Sequence, residues 1–184
     1  MELQTNRLIF REISRDDVSN IHQLHSLPET DEFNTLGIPK SIQETELIIS
    51  DWLAGQNATP QNSYIFCLDL ADTKQFIGLI ALNIGKPKYK TAEVWFKIDS
   101  KYWRQGYTTE ALTKLLDFSF NVLKLHRIEA GCAVENIASI KVLEKVGMTR
   151  EGMKRKILPI RGDWKDNYFY AILDEDFSVG GHVK

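Results

Sequence analysis

The chain has 184 residues, of which 43% are hydrophobic and 26% charged, and its formal net charge is −2. It lacks the excess of positive charge with which proteins neutralise a nucleic-acid backbone. No run approaches the ~20 apolar residues of a membrane span, and the first seven residues lack the apolar core of a signal peptide. We therefore expect one cytoplasmic domain over residues 1–184, with neither nucleic acid nor a membrane as a direct partner.

The first 62 residues predict a strand and two capped helices with an irregular loop between them. Ser14 supplies capping chemistry for the first helix, and Ser41 with Glu44 forms a capping box for the second. In order, these elements are the strand Leu3–Arg11, a helix that carries Val18, Ile21 and Leu24, the loop Ser26–Lys40 and a helix that ends at Gly55.

The rest of the chain predicts three consecutive strands, and then helices and strands in alternation. In order, these are strands at Ser63–Leu70, Gln75–Ile84 and Thr91–Asp99, a helix over about 108–123, a strand at Arg127–Val134, a helix near Ala138–Val146, strands near Met153–Leu158 and Asn167–Leu173, and a tail, Ser178–Lys184, that frays. The unit from Thr91 to Val134 should be a right-handed parallel crossover, whereas the strands before it form antiparallel hairpins. The pattern predicts an α/β (α+β) fold in which a mixed, mostly antiparallel sheet carries helices on both faces.

Two features of the predicted strands bear on chemistry. Cys67 and Cys132 fall within strands and are interpreted as small buried apolar residues, and they lack the spacing of a metal site. Whether the two cysteines touch is left open. In the third strand of the middle group, alternate residues face opposite sides, so Glu93, Trp95 and Lys97 share a face.

The segment Trp103–Glu110 is the most informative part of the chain. It follows a predicted strand and opens a helix, whose first N–H groups lack internal partners and carry partial positive charge. Gly106 lets a ligand approach the backbone, and Arg104 can bond phosphate bidentately. Because the triphosphate motif G-x-x-x-x-G-K-[ST] and the dinucleotide motif G-x-G-x-x-G are absent, the turn predicts a diphosphate held mainly by amides.

Four separated segments resemble the GNAT N-acetyltransferases, and more closely the RimJ/RimL branch, which acetylates N-termini of ribosomal proteins and, in relatives, small amines. Thr5–Leu8 with Arg11 is similar to that branch's T-x-R-L-x-L-R, and Tyr102–Ala111 is similar to its Y-W-G-K-G-Y-A-T-E-A. Asn136–Met148 resembles N-x-x-S-x-x-V-x-E-K-x-G-F, and Glu151–Tyr168 resembles the E-G and N-G-x-x-x-D-x-x-x-Y tail. The resemblance covers nearly the whole chain in order and spacing, and it implies the GNAT acyltransferase fold.

The resemblance implies direct transfer of an acetyl group from acetyl-coenzyme A to a primary amine, in a ternary complex and without a metal. The acceptor would be a protein N-terminus or a small amine. Residues expected to contact acetyl-coenzyme A on this basis are Phe96, Lys97, Ile98, Arg104, Gln105, Gly106, Tyr107, Thr108, Thr109, Asn136, Ser139 and Lys145. Family members often form homodimers, and the sequence leaves the oligomeric state open.

Two residues are candidates for catalysis under the same resemblance. Glu93 would be the general base for the amine, against the alternative of a carboxylate on a solvated strand face. Ser139 would help the thiolate leave, against the alternative of a helix cap. Tyr168 and Tyr170 are alternative proton donors.

The acceptor side of the site is less well defined by the sequence. Asp31-Glu32-Phe33 falls where the family's substrate side lies and could favour a cationic acceptor. A different class of function, a non-catalytic acetyl-coenzyme A-binding sensor or partner module, would share the whole phosphate turn. The retention of Glu93, Asn136 and Ser139 argues against it.

Overall fold

The strands build one sheet, in a computed structural model that describes residues 3–177. Within these residues the spatial order is β1-β2-β3-β4-β5-β6-β8-β7. The strands are β1 (Leu3–Gln4), β2 (Leu8–Glu12), β3 (Ser63–Leu70), β4 (Phe76–Ile84), β5 (Thr91–Ile98), β6 (Arg127–Ala133), β7 (Thr149–Ile160) and β8 (Asp163–Leu173). The bounds of β3 match the prediction at both ends, and those of β4, β5 and β6 differ from it by one residue.

The helices connect the strands, and α3 begins directly after Ser41, as its capping pattern indicated. They are α1 (Val18–His25), α2 (Pro28–Asp31), α3 (Ile42–Gln56), α4 (Tyr107–Asp117) and α5 (Ile137–Lys145). A 3-10 turn, Arg15–Asp17, precedes α1 and carries a complete capping box between Ser14 and Asp17. At α3 only half of the predicted box forms, because Glu44 accepts from the N–H of Lys40 instead of from that of Ser41.

One strand pair interrupts the antiparallel pattern and shapes the site. β5 and β6 are parallel, as the crossover prediction required, but they pair only from Thr91 and Arg127 to Glu93 and Glu129. Beyond these residues β5 stays paired with β4, and β6 stays paired with β8. The two strands therefore separate after Glu93. We call the space between 94–98 of β5 and 130–133 of β6 the wedge.

The two faces of the sheet carry separate apolar cores, which confirms the prediction of helices on both faces. The larger core packs α4 and α5 against one face and includes Val94 and Cys132. The smaller core packs α1 and α3 against the other face and includes Cys67. Both cysteines are free and buried on opposite faces, so they form no disulfide. Burial raises the pKa of both thiols, that of Cys132 to about 11.

Five predicted elements need correction. Leu3–Arg11 is two strands, because the chain turns at Thr5, whose N–H donates to the carbonyl of Leu8 at 2.8 Å. The predicted loop over 26–40 contains α2, which Pro28 favours at the first helical position. The last two strands are longer than predicted, and the helix over 108–123 ends in a π-helical turn, Phe118–Val122. The predicted fraying tail, 178–184, lies outside the described residues.

Candidate functional site

The turn before α4 presents backbone N–H groups to solvent. Arg104 and Gly106 adopt left-handed backbone conformations, with φ of 60° and 82°, and Gly106 is the N-cap residue without a side chain to cap the helix. In the described part of the chain, the N–H groups of residues 104–109 have no hydrogen-bond acceptor, and the first regular bond runs from Glu110 to Gly106 at 3.0 Å. Free amides at a helix N-terminus form an anion site, so the turn fits a diphosphate.

Side chains within the turn hold it in shape. The indole Nε1 of Trp103 donates to the carbonyl of Ile98 at 2.7 Å, and Nε2 of Gln105 donates to the carbonyl of Lys101 at 3.0 Å. The Gln105 side chain is therefore turned back onto the chain. The exposed guanidinium of Arg104 is left to meet an anion. The indole of Trp103 thus makes a specific bond that closes the turn.

The N-terminal hairpin supports the phosphate turn from outside. Between β1 and β2, the Thr5 hydroxyl donates to Glu110 at 2.5 Å, and Nε of Arg7 donates to the same carboxylate at 2.6 Å. Nη1 of Arg7 also donates to the carbonyl of Gln105 at 3.0 Å, and the guanidinium lies 4.4 Å from the centre of the Tyr107 ring. Burial would raise the pKa of Glu110, but the bonds from Thr5 and Arg7 outweigh it and lower that pKa.

This contact joins two segments that the sequence analysis treated only as separate points of resemblance. The opening T-x-R segment and the Glu110 of the central segment form one polar network over the start of α4. Spacing alone could not reveal the network, since 103 residues separate Arg7 from Glu110. The only sequence signal was that Arg7 and Glu110 both belong to segments that resemble the family motifs.

Glu93 occupies the closed end of the wedge, at the last residue of β5 that pairs with β6. Glu93 is exposed at the surface, as the alternative of a solvated strand face required. Partial burial of its carboxyl group first, and then the nearby carboxylate of Glu129, still raise its pKa above the ordinary value for glutamate. Glu129 itself is held by Arg127 at 2.7 Å. A carboxylate that binds protons more readily than usual, beside a gap in the sheet, is suited to general-base chemistry.

The predicted contacts on β5 divide between its two sides. Phe96 and Ile98 pack with the larger core, so only their backbone could face a ligand in the wedge. Lys97 points to the other face, where only 7% of the residue is exposed. Its side chain is therefore on the side of α1 and α2, and its expected role with acetyl-coenzyme A would fall to its backbone.

The start of α5 assigns different roles to Asn136 and Ser139. The side-chain oxygen of Asn136 accepts from the N–H of Ser139 at 3.1 Å, so the cap is Asn136. Ser139 is half-buried in the first turn and does not act as the cap, which removes the structural alternative considered for it. Lys145 is exposed in the last turn of α5, and its contact with the coenzyme stays a prediction.

The two catalytic candidates lie on opposite faces of the sheet. Glu93 shares the face of Trp95, which packs with the smaller core, whereas α5 and Ser139 lie over the larger core. The wedge is the place where the two faces communicate, because β5 and β6 are unpaired there. A thioester lying in the wedge could thus be approached from one face by an acceptor and from the other by a proton donor.

The two tyrosines considered as alternative donors differ in availability. The Tyr170 hydroxyl donates to Glu144 at 3.2 Å, and only 1% of the residue is exposed. Burial and the bond to Glu144 raise its pKa to about 12, so it is a poor proton donor. Tyr168 is half-buried with the guanidinium of Arg150 4.6 Å from its ring centre, and its role stays a prediction.

A contact between two distant segments joins the predicted acceptor segment to the hairpin of β7 and β8. Arg161, in the turn between β7 and β8, donates to Asp31 at 3.2 Å and to the carbonyl of Pro28 at 2.8 Å. Asp31 is 4% exposed, so this member of the predicted acceptor segment is a buried anchor. Glu32 and Phe33 follow at the surface, one exposed and the other half-buried.

Two other kinds of site are absent from residues 3–177. No group of three or more His, Cys, Asp or Glu side chains is placed to hold a metal ion there. None of the helices in that range combines the length and hydropathy of a membrane span.

The mixed sheet separates beside a carboxylate, and a helix start with free amides lies at the far end of the gap. Together these features define a coenzyme A-dependent acyltransferase. The chain belongs to the GNAT acetyltransferases, since the family description "Acetyltransferase (GNAT) domain" matches residues 7–149. It is an acetyl-coenzyme A-dependent N-acetyltransferase, and a ribosomal-protein alanine N-acetyltransferase is among its relatives, in line with the resemblance to the RimJ/RimL branch. This assignment favours an enzyme over the non-catalytic binding module.

The chain is similar to proteins of the same family over most of its length. The uncharacterized N-acetyltransferase YnaD of Bacillus subtilis (strain 168) is 33% identical over 181 residues, which cover 97% of this chain and 100% of the relative. A GNAT-family acetyltransferase of known structure from Bacillus anthracis is 30% identical with a TM-score of 0.81, covering 95% and 99%. The ribosomal protein uS5-alanine N-acetyltransferase of Escherichia coli (strain K12) is 27% identical over 120 residues, covering 65% and 62%.

Proposed function

We propose that this protein transfers the acetyl group of acetyl-coenzyme A directly to a primary amine, with both substrates bound together. The observation that carries the proposal is the position of Glu93 at the closed end of the wedge, opposite a helix start with free N–H groups. Acetyl-coenzyme A supplies the acetyl thioester. Every other requirement of the reaction falls to side chains and amides of this chain.

The phosphate turn would hold the coenzyme by its diphosphate. The amides of Gly106 to Thr109 offer donors, and the positive end of α4 adds a favourable field. Arg104 adds a mobile charge at the surface. The amide nitrogen of the Asn136 side chain remains for a pantetheine amide, because its oxygen caps α5.

Glu93 would accept the proton of the acceptor, directly or through water. An α-amino group has a pKa of ~8 and a lysine amine of ~10.4, so either is mostly protonated at neutral pH. The raised pKa of Glu93, caused first by burial and then by Glu129, brings the base closer to these values. Ser139 would donate a hydrogen bond to the departing sulfur from the other face of the sheet.

The acceptor is either a small amine or the N-terminal residue of a protein. The contact of Arg161 with Asp31 and Pro28 joins the predicted acceptor segment to the hairpin of β7 and β8, which favours a small molecule. The relative that acts on the alanine of ribosomal protein uS5 supports the other possibility.

The proposal is tested by the release of free coenzyme A over a panel of amines and N-terminal peptides. We expect turnover with at least one acceptor and a loss of about 10²-fold in Glu93→Gln at neutral pH, in the range typical for a general base. The loss should shrink at high pH, where the acceptor is already deprotonated, and coenzyme A affinity should stay nearly unchanged. Glu12→Gln, at an exposed position of β2, is the matched control. An unchanged rate in Glu93→Gln would remove this residue from the mechanism.

A further inference from the structure

Three buried polar groups beside the wedge lack hydrogen-bond partners among residues 3–177. They are Nδ1 of His25, Oδ1 of Asp31 and Nζ of Lys97, which come from α1, α2 and β5. The three residues are 1%, 4% and 7% exposed, respectively. Buried polar groups are nearly always bonded, and an unpaired buried group is costly. Three such groups from three separate elements therefore indicate a place for a polar ligand.

The three groups act on one another electrostatically, so they form one cluster. After burial, the charge of Lys97 is the largest cause that lowers the pKa of His25, to about 3, and this ring is neutral at physiological pH. Burial lowers the pKa of Lys97 to about 8, and Asp31 partly opposes that change. Lys97 thus remains mostly an ammonium group at neutral pH.

The buried charges of the cluster are not hydrogen-bonded to one another. Asp31 shares its Oδ2 with Arg161 at 3.2 Å, and half of the Arg161 side chain is exposed to water. The buried ammonium group of Lys97 has no hydrogen-bond partner among residues 3–177. A buried charge without a bonded partner is costly, and a ligand carboxylate would supply that partner.

The cluster faces the same side of the sheet as the proposed base. Glu93, Trp95 and Lys97 alternate along one face of β5, and the Cα atoms of the first and last are about 13 Å apart at ordinary strand rise. Trp95 lies between them on this face, half-buried against the smaller core. An acceptor that meets Glu93 with its amine and Lys97 with another group would extend past the Trp95 ring.

We propose that Lys97, together with His25 and Asp31, binds a carboxylate of the acceptor, so that the acceptor is a small amine that also carries a carboxylate, such as an amino acid. This inference rests on the proposed function. Lys97 donates to the carboxylate, and neutral His25 donates from Nδ1 as the N–H tautomer. Asp31 keeps Arg161 in place and accepts a hydrogen bond from the acceptor at Oδ1. A polyamine, in contrast, offers no anion to the Lys97 ammonium group.

The experiment compares acceptors that differ only in the carboxylate. Coenzyme A release is measured with L-amino acids, with the matching amino-acid amides and with spermidine, for the wild type, Lys97→Met and the exposed control Lys88→Met. We expect kcat/KM for the acids to exceed that for the amides at least tenfold in the wild type and in Lys88→Met. In Lys97→Met the acid-to-amide ratio should fall by about 10- to 100-fold, the size of one lost bond to a charged group.

The ratio separates acceptor recognition from general damage, because changes in folding or coenzyme binding affect both acceptors alike. Lys97→Arg, which keeps the charge, should retain most of the ratio. Equal use of acids and amides by the wild type, preference for spermidine, or an unchanged ratio in Lys97→Met would each overturn the inference and leave the acetyltransferase intact.

A second measurement tests the inference apart from turnover. Calorimetry of an amino acid binding to the protein saturated with coenzyme A should show affinity at least tenfold weaker in Lys97→Met than in Lys88→Met. If no acceptor is turned over but this difference is found, the proposed function fails and the carboxylate site stands. Equal affinity in the two variants refutes the site.

Discussion

Replacing Gly106 by alanine tests two properties of this residue: its left-handed backbone conformation, and the access that it gives to the amides of the phosphate turn. Gly106 has φ of +82°, and a Cβ there would meet only Nη2 of Arg7, at 3.5 Å, an ordinary contact. The folded protein therefore has room for the methyl group. The substitution costs backbone strain, and it places a methyl group over the amides that would face the phosphates.

The magnitudes of the two effects can be estimated independently. Left-handed backbone costs an L-residue about 1 to 2 kcal/mol, and for a chain of this size each kcal/mol lowers the Tm by about 2 to 4 °C. Loss of one hydrogen bond to a charged phosphate is worth about 1.5 to 3 kcal/mol, which weakens coenzyme A binding about 10- to 100-fold. Gly37→Ala is the matched control, because Gly37 has φ of +77° and nothing within 4 Å of the added Cβ.

The assay combines thermal melting with calorimetric titration of coenzyme A for both variants. We expect similar falls in Tm, since both carry the same strain, and weaker binding in Gly106→Ala alone. The same Kd for Gly106→Ala and Gly37→Ala would show that the diphosphate does not rest on this turn, and the argument from free amides would be wrong.

Three further substitutions test the supports of the site. Arg7→Met should raise the KM for acetyl-coenzyme A about three- to tenfold. It should cost less than about 1 kcal/mol of stability, because the ion pair of Arg7 is partly exposed. An unchanged KM would show that the hairpin does not order the turn. Asn136→Ala should lower the free energy of unfolding by about 1 kcal/mol, measured with denaturant, because the cap of α5 is lost. Ser139→Ala should keep this stability and slow turnover. Equal losses of stability in the two variants would contradict the assignment of the cap to Asn136. Arg11→Met should cost about 1 to 2 kcal/mol at neutral pH, discounted because 42% of the Arg11 side chain is exposed. The bonds from Arg11 and Ser14 outweigh burial and lower the pKa of Asp17, so that stabilisation is present above the ordinary aspartate pKa and is lost as pH falls through the lower folded value. A stability difference between Arg11→Met and the wild type that persists under strong acid would contradict this account.

Local patterns in the sequence predicted most elements of the fold. Ser63–Leu70 contains the apolar run 64–68 and is flanked by turn residues, so both ends of β3 could be predicted. The first strand was wrong because its division depends on Thr5, whose turn is fixed partly by Glu110, more than 100 residues away. The pattern of residues adjacent in sequence carries no information about a partner as distant as Glu110.

The candidate site was predicted in part for the same reason. The free amides of the phosphate turn follow from a glycine before an apolar helical repeat, and the alternation along β5 correctly placed Lys97 on the face of Glu93. The alternation could not show that α1 and α2 bury this lysine, because their packing depends on Arg161 reaching Pro28 from the far hairpin. The chemistry at the acceptor end is therefore a property of tertiary contacts.

The network of Thr5 and Arg7 with Glu110 has a consequence for the order in which the protein folds. These contacts join residues 103 and 105 positions apart, and contacts at such separations form late because the intervening chain must first be confined. A chain emerging from the ribosome cannot support its phosphate turn until α4 has been synthesised and has met the first hairpin. Full coenzyme A affinity therefore requires that the first hairpin has packed against α4. Removing the first seven residues should weaken coenzyme A binding.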